Sequence, residues 1–283
     1  MTIYRGVKYG TTVYPVTDFT ANFNRNPIAE QGMGLGGEVT IFDGACIASG
    51  TIGAVYRSTF ITPFVTSINQ LLSGTLTSLP TLYTLIASDE FGGGSFADTF
   101  INSFELSAQV KDLPKVTMGW IAKGVATAGT VDAQYADYAT DNIPTFWGST
   151  LNHPSIKITG FTIKLEVPID QDNYIIGSKT LDSLVQSGNG TVSGTLSLAP
   201  TATEWATLQT SMGTCGYIGD IELELKGQTS ATSDCSATTV STITIEKAVA
   251  SDSTFSGQNR NKFTKTINWK APVNTTTNTA IFT

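Results

Sequence analysis

Apolar residues occupy every second position in two neighbouring segments of the chain, 104–110 and 116–122. The polar positions of the first segment include Glu105, and a short connection that contains Pro114 separates the two segments. A period of two is the period of a β-strand, because successive side chains of a strand point to opposite faces. The pattern therefore predicts a β-hairpin with one buried face and one polar face.

The segment 155–167 shows the same alternation, but its parity changes once. The apolar positions up to Ile158 share one parity, and those from Phe161 onward share the other. The change falls at Thr159 and Gly160. One extra residue in the strand at this point, a β-bulge, would return both sets of side chains to the same core.

The rest of the chain contains more strand patterns than helix patterns. Further strands are predicted at 19–23, 39–41, 191–198, 221–226, 243–245 and 263–270. Trp205, Leu208 and Met212 are spaced at i, i+3 and i+7, which predicts one short amphipathic helix, and 66–72 is a second candidate. Many strands with one or two short helices predict an all-β fold, an antiparallel β-sandwich or half-barrel.

Several stretches between the predicted strands are long and rich in Gly, Ser and Thr. We expect long loops or arms at 1–37 (including a loop at 24–37), at 73–98, at 125–150, and within the C-terminal strands and arm of 227–283. Such loops are uncommon in compact domains and usually serve binding. No period of 20–50 residues is evident, which argues against a solenoid. The expectation is one domain over 1–283 whose loops reach other subunits.

Composition and charge argue against several classes of partner. The chain has 16 Lys and Arg against 23 Asp and Glu, a formal net charge of −7. It has no basic run, whereas recognition of nucleic acid requires clustered positive charge. No stretch approaches the roughly 18 apolar residues of a membrane-spanning helix. Three cysteines without close spacing, and an N-terminus unlike a signal peptide, indicate a reducing compartment such as a cytoplasm.

Motifs for catalysis or for ligand binding are weak. The one histidine, His153, precedes a proline in a predicted loop or strand entry, and two histidines at helical spacing would be needed for the HExxH zinc chemistry. Residues 32–37 match GxGxxG, but no strand precedes them and a strand follows them, which is the wrong context for a dinucleotide. We therefore expect no catalytic residue, no cofactor and no metal site.

Two features outside the predicted core are candidates for contact with solvent or with other chains. Glu222 and Glu224 lie two residues apart on a strand face opposite Leu223, which predicts an exposed acidic face. Phe146 and Trp147 lie in the predicted loop 125–150. Aromatic residues of this kind are enriched at interfaces, so we predict that both contact another chain.

Three segments resemble, in the same order, strands of the tail tube proteins of long-tailed phages. The hairpin NSFELSA (102–108) and VTMGWIAKG (116–124) resembles the central hairpin of that family. ITGFTIKLEV (158–167) is similar to a later strand, and VSGTLSL (192–198) to the strand before a short helix, where 204–208 lie. The order matches over about residues 100–226, whereas the first hundred residues and the part after Gly227 match poorly.

This resemblance implies a sandwich or half-barrel with one flanking helix, whose sheets join edge to edge. A ring with a closed inner β-barrel results, expected to be six-fold, and rings stack through loops and arms into a tube. The tube conducts genome DNA from capsid to host cell without binding it specifically. Implied partners are further copies of the chain and the tape measure, terminator and baseplate or tip proteins. The implied location is the virion tail, assembled in the host cytoplasm, with no enzymatic role.

An acidic lumen is also implied, and the candidates for its lining are Glu105, Glu222 and Glu224, because they oppose apolar strand faces. Two other functions remain open from the residues. One is a different virion protein, such as a capsid or decoration subunit. The other is a carbohydrate-binding or hydrolytic β-sandwich, which the weak motifs disfavour.

Overall fold

The structure is a computed structural model that describes residues 6–25, 28–31, 38–42, 46–57, 82–89, 92–124, 127–132, 143–150, 156–176, 178, 180–213, 215–228, 238–256, 264–273 and 281. These residues form antiparallel strands and one short helix, which confirms the predicted all-β fold of the open sandwich or half-barrel type. The candidate second helix at 66–72 and His153 lie outside the described residues.

Strands follow one another through both halves of the chain. In the first half they are β1 (Gly6–Tyr9), β2 (Thr12–Tyr14), β3 (Asp18–Arg25), β4 (Ile28–Gln31), β5 (Glu38–Phe42), β6 (Cys46–Val55), β7 (Tyr83–Asp89), β8 (Gly92–Gln109), β9 (Lys115–Ala122) and β10 (Thr127–Ala128). In the second half they are β11 (Ile143–Thr150), β12 (Ile158–Glu166), β13 (Ile169–Asp170), β14 (Val185–Gln186), β15 (Thr191–Leu198), β16 (Tyr217–Gln228), β17 (Thr238–Ser256) and β18 (Thr264–Ala271), with helix α1 (Ala202–Met212) between β15 and β16.

Two sets of six strands follow the same order across the main sheet. The first unit is β1, β7, β8, β9, β6 and β3, and the second unit is β11, β16, β17, β18, β15 and β12. Both units also run through their strands in the same order along the chain, with a separate two-stranded sheet, β4–β5 or β13–β14, inserted at the same point. The chain thus contains two structurally equivalent halves.

The pairing register agrees between the units. Trp120 of β9 lies opposite Gly50 of β6, and Trp269 of β18 lies opposite Gly194 of β15. A Cβ on either glycine would collide with the facing tryptophan ring and with a carbonyl oxygen of the adjacent strand. Each glycine therefore allows a large ring to lie flat across the sheet, at the same place in both units.

Irregularities occur at equivalent places in the two longest strands. The ladder between β8 and β9 skips one residue after Ile101, and the ladder between β17 and β18 skips one residue after Ala250. Three residues before these points lie Asp98 and Lys247, which have positive φ angles of 51° and 56°. Positive φ is uncommon outside glycine, so this shared feature shows that the units match in backbone conformation as well as in strand order.

The two units are joined edge to edge into one sheet. β12, the outer strand of the second unit, pairs antiparallel with residues 103–109 of β8, from Glu166 opposite Ser103 to Gly160 opposite Gln109. Up to Ser107, the same part of β8 pairs with β9 on its other side. We call this β12–β8 ladder the internal joint.

The hairpin and the bulge predicted from the sequence are confirmed. β8 and β9 form the hairpin, and Asp112 donates its N–H to Gln109 across the turn. The ladder between β12 and β15 shifts register between Ile158 and Gly160, where the bulge was predicted. Trp120 and Trp269 are each 1% exposed.

The helix predicted from the spacing of Trp205, Leu208 and Met212 is also confirmed, as α1. Thr201 caps it by accepting a hydrogen bond from the N–H of Glu204, and the Glu204 carboxylate accepts one from the N–H of Thr201. Such a capping box satisfies donors that the first turn would otherwise leave free. Leu208 is buried, and the ammonium of Lys265 lies 3.6 Å from the centre of the Trp205 ring. These contacts hold α1 against the sheet.

The predictions of long loops are wrong for much of the described chain. Segment 73–98 contains β7 and the start of β8, 125–150 contains β10 and β11, and 1–37 contains four strands. The glycines at 92–94 predicted a loop, but these residues of β8 pair with β7. A Cβ on Gly93 would collide with the carbonyl oxygen of Ala87. Close approach of two backbones favours small residues here, which removes the alternation that marks a strand.

Equal losses of stability are expected for Gly50→Ala and Gly194→Ala, since each new methyl group meets backbone and a tryptophan ring. Overpacking of this kind costs about 1–3 kcal/mol. Urea unfolding would measure both, with Gly188→Ala as the control, because its Cβ would only approach Pro168 at 3.3 Å. A control as destabilised as the other two variants would contradict this explanation.

Alkaline pH is expected to weaken the fold through Tyr56, which is 1% exposed at the end of β6. Burial raises the pKa of Tyr56 from 10.0 to about 12, although a hydrogen bond with Ser241 lowers it in part. The folded state favours the neutral phenol. The phenol therefore contributes fully to the free energy of unfolding below pH 10, and this contribution is lost as the pH rises through about 12. Unfolding free energies of the parent and Tyr56→Phe, measured against pH, should fall more steeply for the parent.

Candidate self-association surface

Four strands of the main sheet have one neighbour each within the described part of the chain. β3 pairs only with β6, β2 only with β1, β11 only with β16, and the two-residue strand β10 only with β8. An edge strand presents unpaired N–H and C=O groups, which another chain can pair with. β3 and β11 have eight residues each and are long enough to form a ladder with another strand.

The outward direction of the β3 backbone follows from its contact with β6. A Cβ on Gly50 would collide with the carbonyl oxygen of Thr20, so this carbonyl points toward β6. Backbone groups of an antiparallel strand alternate between its two neighbours. The N–H and C=O of Ala21 therefore point away from β6, toward the free edge, and the same holds for Phe23.

Apolar side chains on β3 are less buried than their equivalents on β12. Phe19 and Ala21 are half-buried and Phe23 is 47% exposed. The equivalent residues of the second unit are at most 3% exposed; they are Phe161, Ile163 and Leu165. The difference has a simple cause: β12 has β8 along its outer edge, whereas β3 has no strand there within the described residues.

An aromatic cluster holds β3 onto the first unit. The rings of Phe19 and Trp120 are stacked, with centroids 5.7 Å apart and planes at 9°. Phe96 contacts Trp120 at 4.7 Å and Phe23 at 5.9 Å between centroids. Aromatic contacts of this geometry add stability beyond the buried area. β3 is thus fixed in place even though no described strand pairs with its outer edge.

A groove of about 810 Å³ opens between β3 and the strands β1, β7, β8 and β10. Its lining is mostly apolar and includes Phe19, Phe23 and Phe96. Small residues create the space, since their equivalents in the second unit are larger. Ala21, Ala87, Gly93 and Gly94 of the groove correspond to Ile163, Leu223, Thr242 and Ile243. The apolar face of β3 therefore borders an open space that the second unit fills with its own side chains.

The acidic residues predicted to line a lumen all lie on polar strand faces. Glu222 and Glu224 are exposed on β16, between the buried residues Ile221, Leu223 and Leu225. Glu105 is half-buried on β8, and Lys164 lies opposite it on β12. The three carboxylates therefore face away from the core, as the lining of a channel requires.

Cations accompany these carboxylates on the same faces. Lys226 lies 2.8 Å from Glu224, and Lys164 lies 2.7 Å from Glu166. Exposed ion pairs of this kind contribute little to stability, typically about 0–1 kcal/mol. Their effect is on the local field, because each lysine reduces the negative charge that its face presents.

Phe146 and Trp147 lie on β11 and not in a loop, which corrects the predicted loop. In the register with β16, Trp147 is opposite Leu225 and Phe146 is opposite Lys226. Both residues thus belong to an edge strand. Their contact with another chain stays a prediction.

Ligand chemistry is sparse in the described residues. No group of three or more His, Cys, Asp or Glu side chains that could hold a metal occurs among them. Cys46 is buried and Cys215 is exposed. The GxGxxG residues 32–37 lie outside the described residues, between β4 and β5, which pair antiparallel. The expectation that no strand precedes them is therefore wrong, whereas the strand expected after them is present as β5. No helix in the described chain is long and apolar enough to cross a membrane.

Comparison with known families decides the identity. The model of a family described as "Phage tail tube protein" matches residues 60–271, three quarters of the chain. The chain belongs to the phage tail tube protein family. The match extends beyond 100–226, the part whose sequence carried the resemblance, and includes β7 in the first unit and β18 in the second. No curated protein matches the chain.

Membership of the tail tube family makes the protein a structural component of the phage tail. It also gives the free edge of β3 a context, because a tube is built from subunits that associate with one another.

Sequence reasoning predicted β3 only as a short alternating run, and it missed both the edge and the repeated unit. A signal for the repeat is present in the sequence. FT occurs at 19–20 and 161–162, SGT occurs at 49–51 and 193–195, and each unit has one of the two tryptophans at the equivalent position.

Unequal effects are expected from the equivalent substitutions Phe23→Ser and Leu165→Ser. Leu165 is fully buried, so its loss should cost about 3–5 kcal/mol, whereas half-exposed Phe23 should cost about 1–2 kcal/mol. Urea unfolding of the dissociated protein would measure both values. Equal losses would show that the edge of β3 is covered within one chain.

Proposed function

We propose that the chain is the major subunit of the tail tube and polymerises into stacked rings. The proposal is supported by the family match together with the outer edge of β3, which has no partner strand among the described residues. Its backbone groups point outward and its apolar face is half-exposed, whereas the equivalent strand β12 is paired and buried. Pairing with a further copy would satisfy these groups and bury that face.

The tube is the conduit through which genome DNA passes into the host. A formal charge of −7 in each subunit supports passage without binding, because like charges repel the phosphate backbone. We assign Glu105, Glu222 and Glu224 to the lumen on their polar faces. Lys164 and Lys226 reduce the negative potential at Glu105 and Glu224, respectively.

Assembly takes place in the host cytoplasm and the product is part of the virion. The partners are other copies of this chain and, at the ends and inside the growing tube, the terminator, tape measure and baseplate or tip proteins. Phe146 and Trp147 on edge strand β11 supply a further contact between subunits. The role is mechanical, with no catalytic step and no cofactor.

Electron microscopy of the purified protein at increasing concentration is the direct test. Rings and tubes are expected. Closed shells would instead support a capsid or decoration protein, and monomers that bind glycans would support a carbohydrate-binding sandwich; either result would overturn the proposal.

A charge on the β3 edge should block assembly. Phe23→Asp places a carboxylate where a neighbouring strand would pack, and inward-pointing charges are a known protection of sheet edges. Thr203→Asp adds the same charge on the exposed surface of α1 and should leave tubes unaffected. Light scattering would follow both, and tubes formed equally well by the two variants would argue against β3 as the contact.

A further inference from the structure

Each chain contains the internal joint and, apart from it, two segments that are equivalent to the two sides of that joint. The internal joint pairs β12 with residues 103–109 of β8. The strand equivalent to β12 is β3, and the segment equivalent to 103–107 is 252–256 at the end of β17. Within the described residues, β3 pairs only with β6, and 252–256 pair only with β18.

The equivalence of these segments is defined residue by residue. Ser103 follows the skipped residue in the β8–β9 ladder and lies opposite Gly119, and Asp252 follows the skipped residue in the β17–β18 ladder and lies opposite Asn268. On the other side, Thr20 lies opposite Thr51 as Thr162 lies opposite Thr195 (residues of β3–β6 and β12–β15). Both free segments therefore have the backbone setting of segments that pair in the internal joint.

We infer that β3 of one copy pairs antiparallel with 252–256 of β17 in the next copy, in the register of the internal joint. The inference rests on the proposed self-assembly and specifies its contact. Transfer of the register Glu166–Ser103, Lys164–Glu105 and Thr162–Ser107 gives the following pairs. Asn24 lies opposite Asp252, Asn22 opposite Thr254, and Thr20 opposite Ser256.

The transferred register is chemically compatible. None of the three pairs opposes like charges, which would be unfavourable in a ladder. The outward N–H and C=O of Ala21 meet the backbone of position 255, as those of Ile163 meet Leu106 in the internal joint. Phe23, half-exposed in the free chain, lies opposite Ser253 and loses its exposure to water, as Leu165 does beside Phe104.

The contact uses two different surfaces, so it is head-to-tail, and such contacts close into rings when the rotation allows. Each chain contributes one internal and one external joint. A closed ring therefore contains two unit positions for every chain.

A designed disulfide tests the register. In a background without the native cysteines, Asn22→Cys with Thr254→Cys places two thiols at a directly opposite pair. Facing residues of a ladder have Cα atoms about 4.5–5.5 Å apart, within the range that a disulfide spans. Oxidation of assembled protein should shift the monomer band to a ladder of covalent oligomers that ends at the closed product of one ring. Thr20→Cys with Thr254→Cys is the matched control, because diagonal positions about 7–8 Å apart cannot be bridged well.

The same samples distinguish failure of this inference from failure of the proposed function. Rings seen by microscopy without intermolecular disulfides in the first variant, or with equal cross-linking in the control, would overturn the register and leave the tube function standing. A sample with neither rings nor cross-links would overturn both proposals.

A second variant separates edge pairing from other contacts of β3. Ala21→Pro removes the outward N–H, and proline is tolerated in edge strands where this group faces solvent. The dissociated protein should unfold as the parent does, while its assembly is lost. Normal assembly of Ala21→Pro would overturn the inference.

Discussion

Continuity of the antiparallel backbone ladder is the constraint on which this structure depends. Every N–H and C=O in a sheet needs a partner, and the buried ladders of both units provide them from strand to strand. The internal joint extends that ladder from one unit to the other. Within the described residues the ladder stops at β3 and at the end of β17, and both have the backbone setting of a segment that pairs in the internal joint.

The repeated unit explains features that look unrelated in isolation. Two tryptophans cross two glycines, two non-glycine residues adopt positive φ, and two long strands skip a residue at the same place. Both Trp120 and Trp269 are also buried without a hydrogen-bond partner for Nε1 among the described residues. A conformation that recurs with different neighbouring side chains is set by the ladder geometry common to both units.

Differences between the units then show where each faces a different environment. The second unit fills its core with Ile163 and Leu223 where the first has Ala21 and Ala87. The outer strand of the second unit, β12, is also more buried than its equivalent β3 in the first unit. The proposed function accounts for this difference, because a subunit that joins another copy through β3 cannot close its own sheet there.

The sequence by itself determined the elements whose apolar side chains recur at a regular spacing. The β8–β9 hairpin, the bulge at Gly160 and the helix α1 follow from local pattern, since the spacing of apolar side chains is a property of neighbouring residues. Only the tertiary structure decided that 92–98 and 143–150 are strands, that the two halves are equivalent, and that β3 lies at an edge. Those features depend on pairing between residues far apart in the chain, and pairing leaves no local period where glycines allow backbones to approach closely or where a strand lacks its second neighbour.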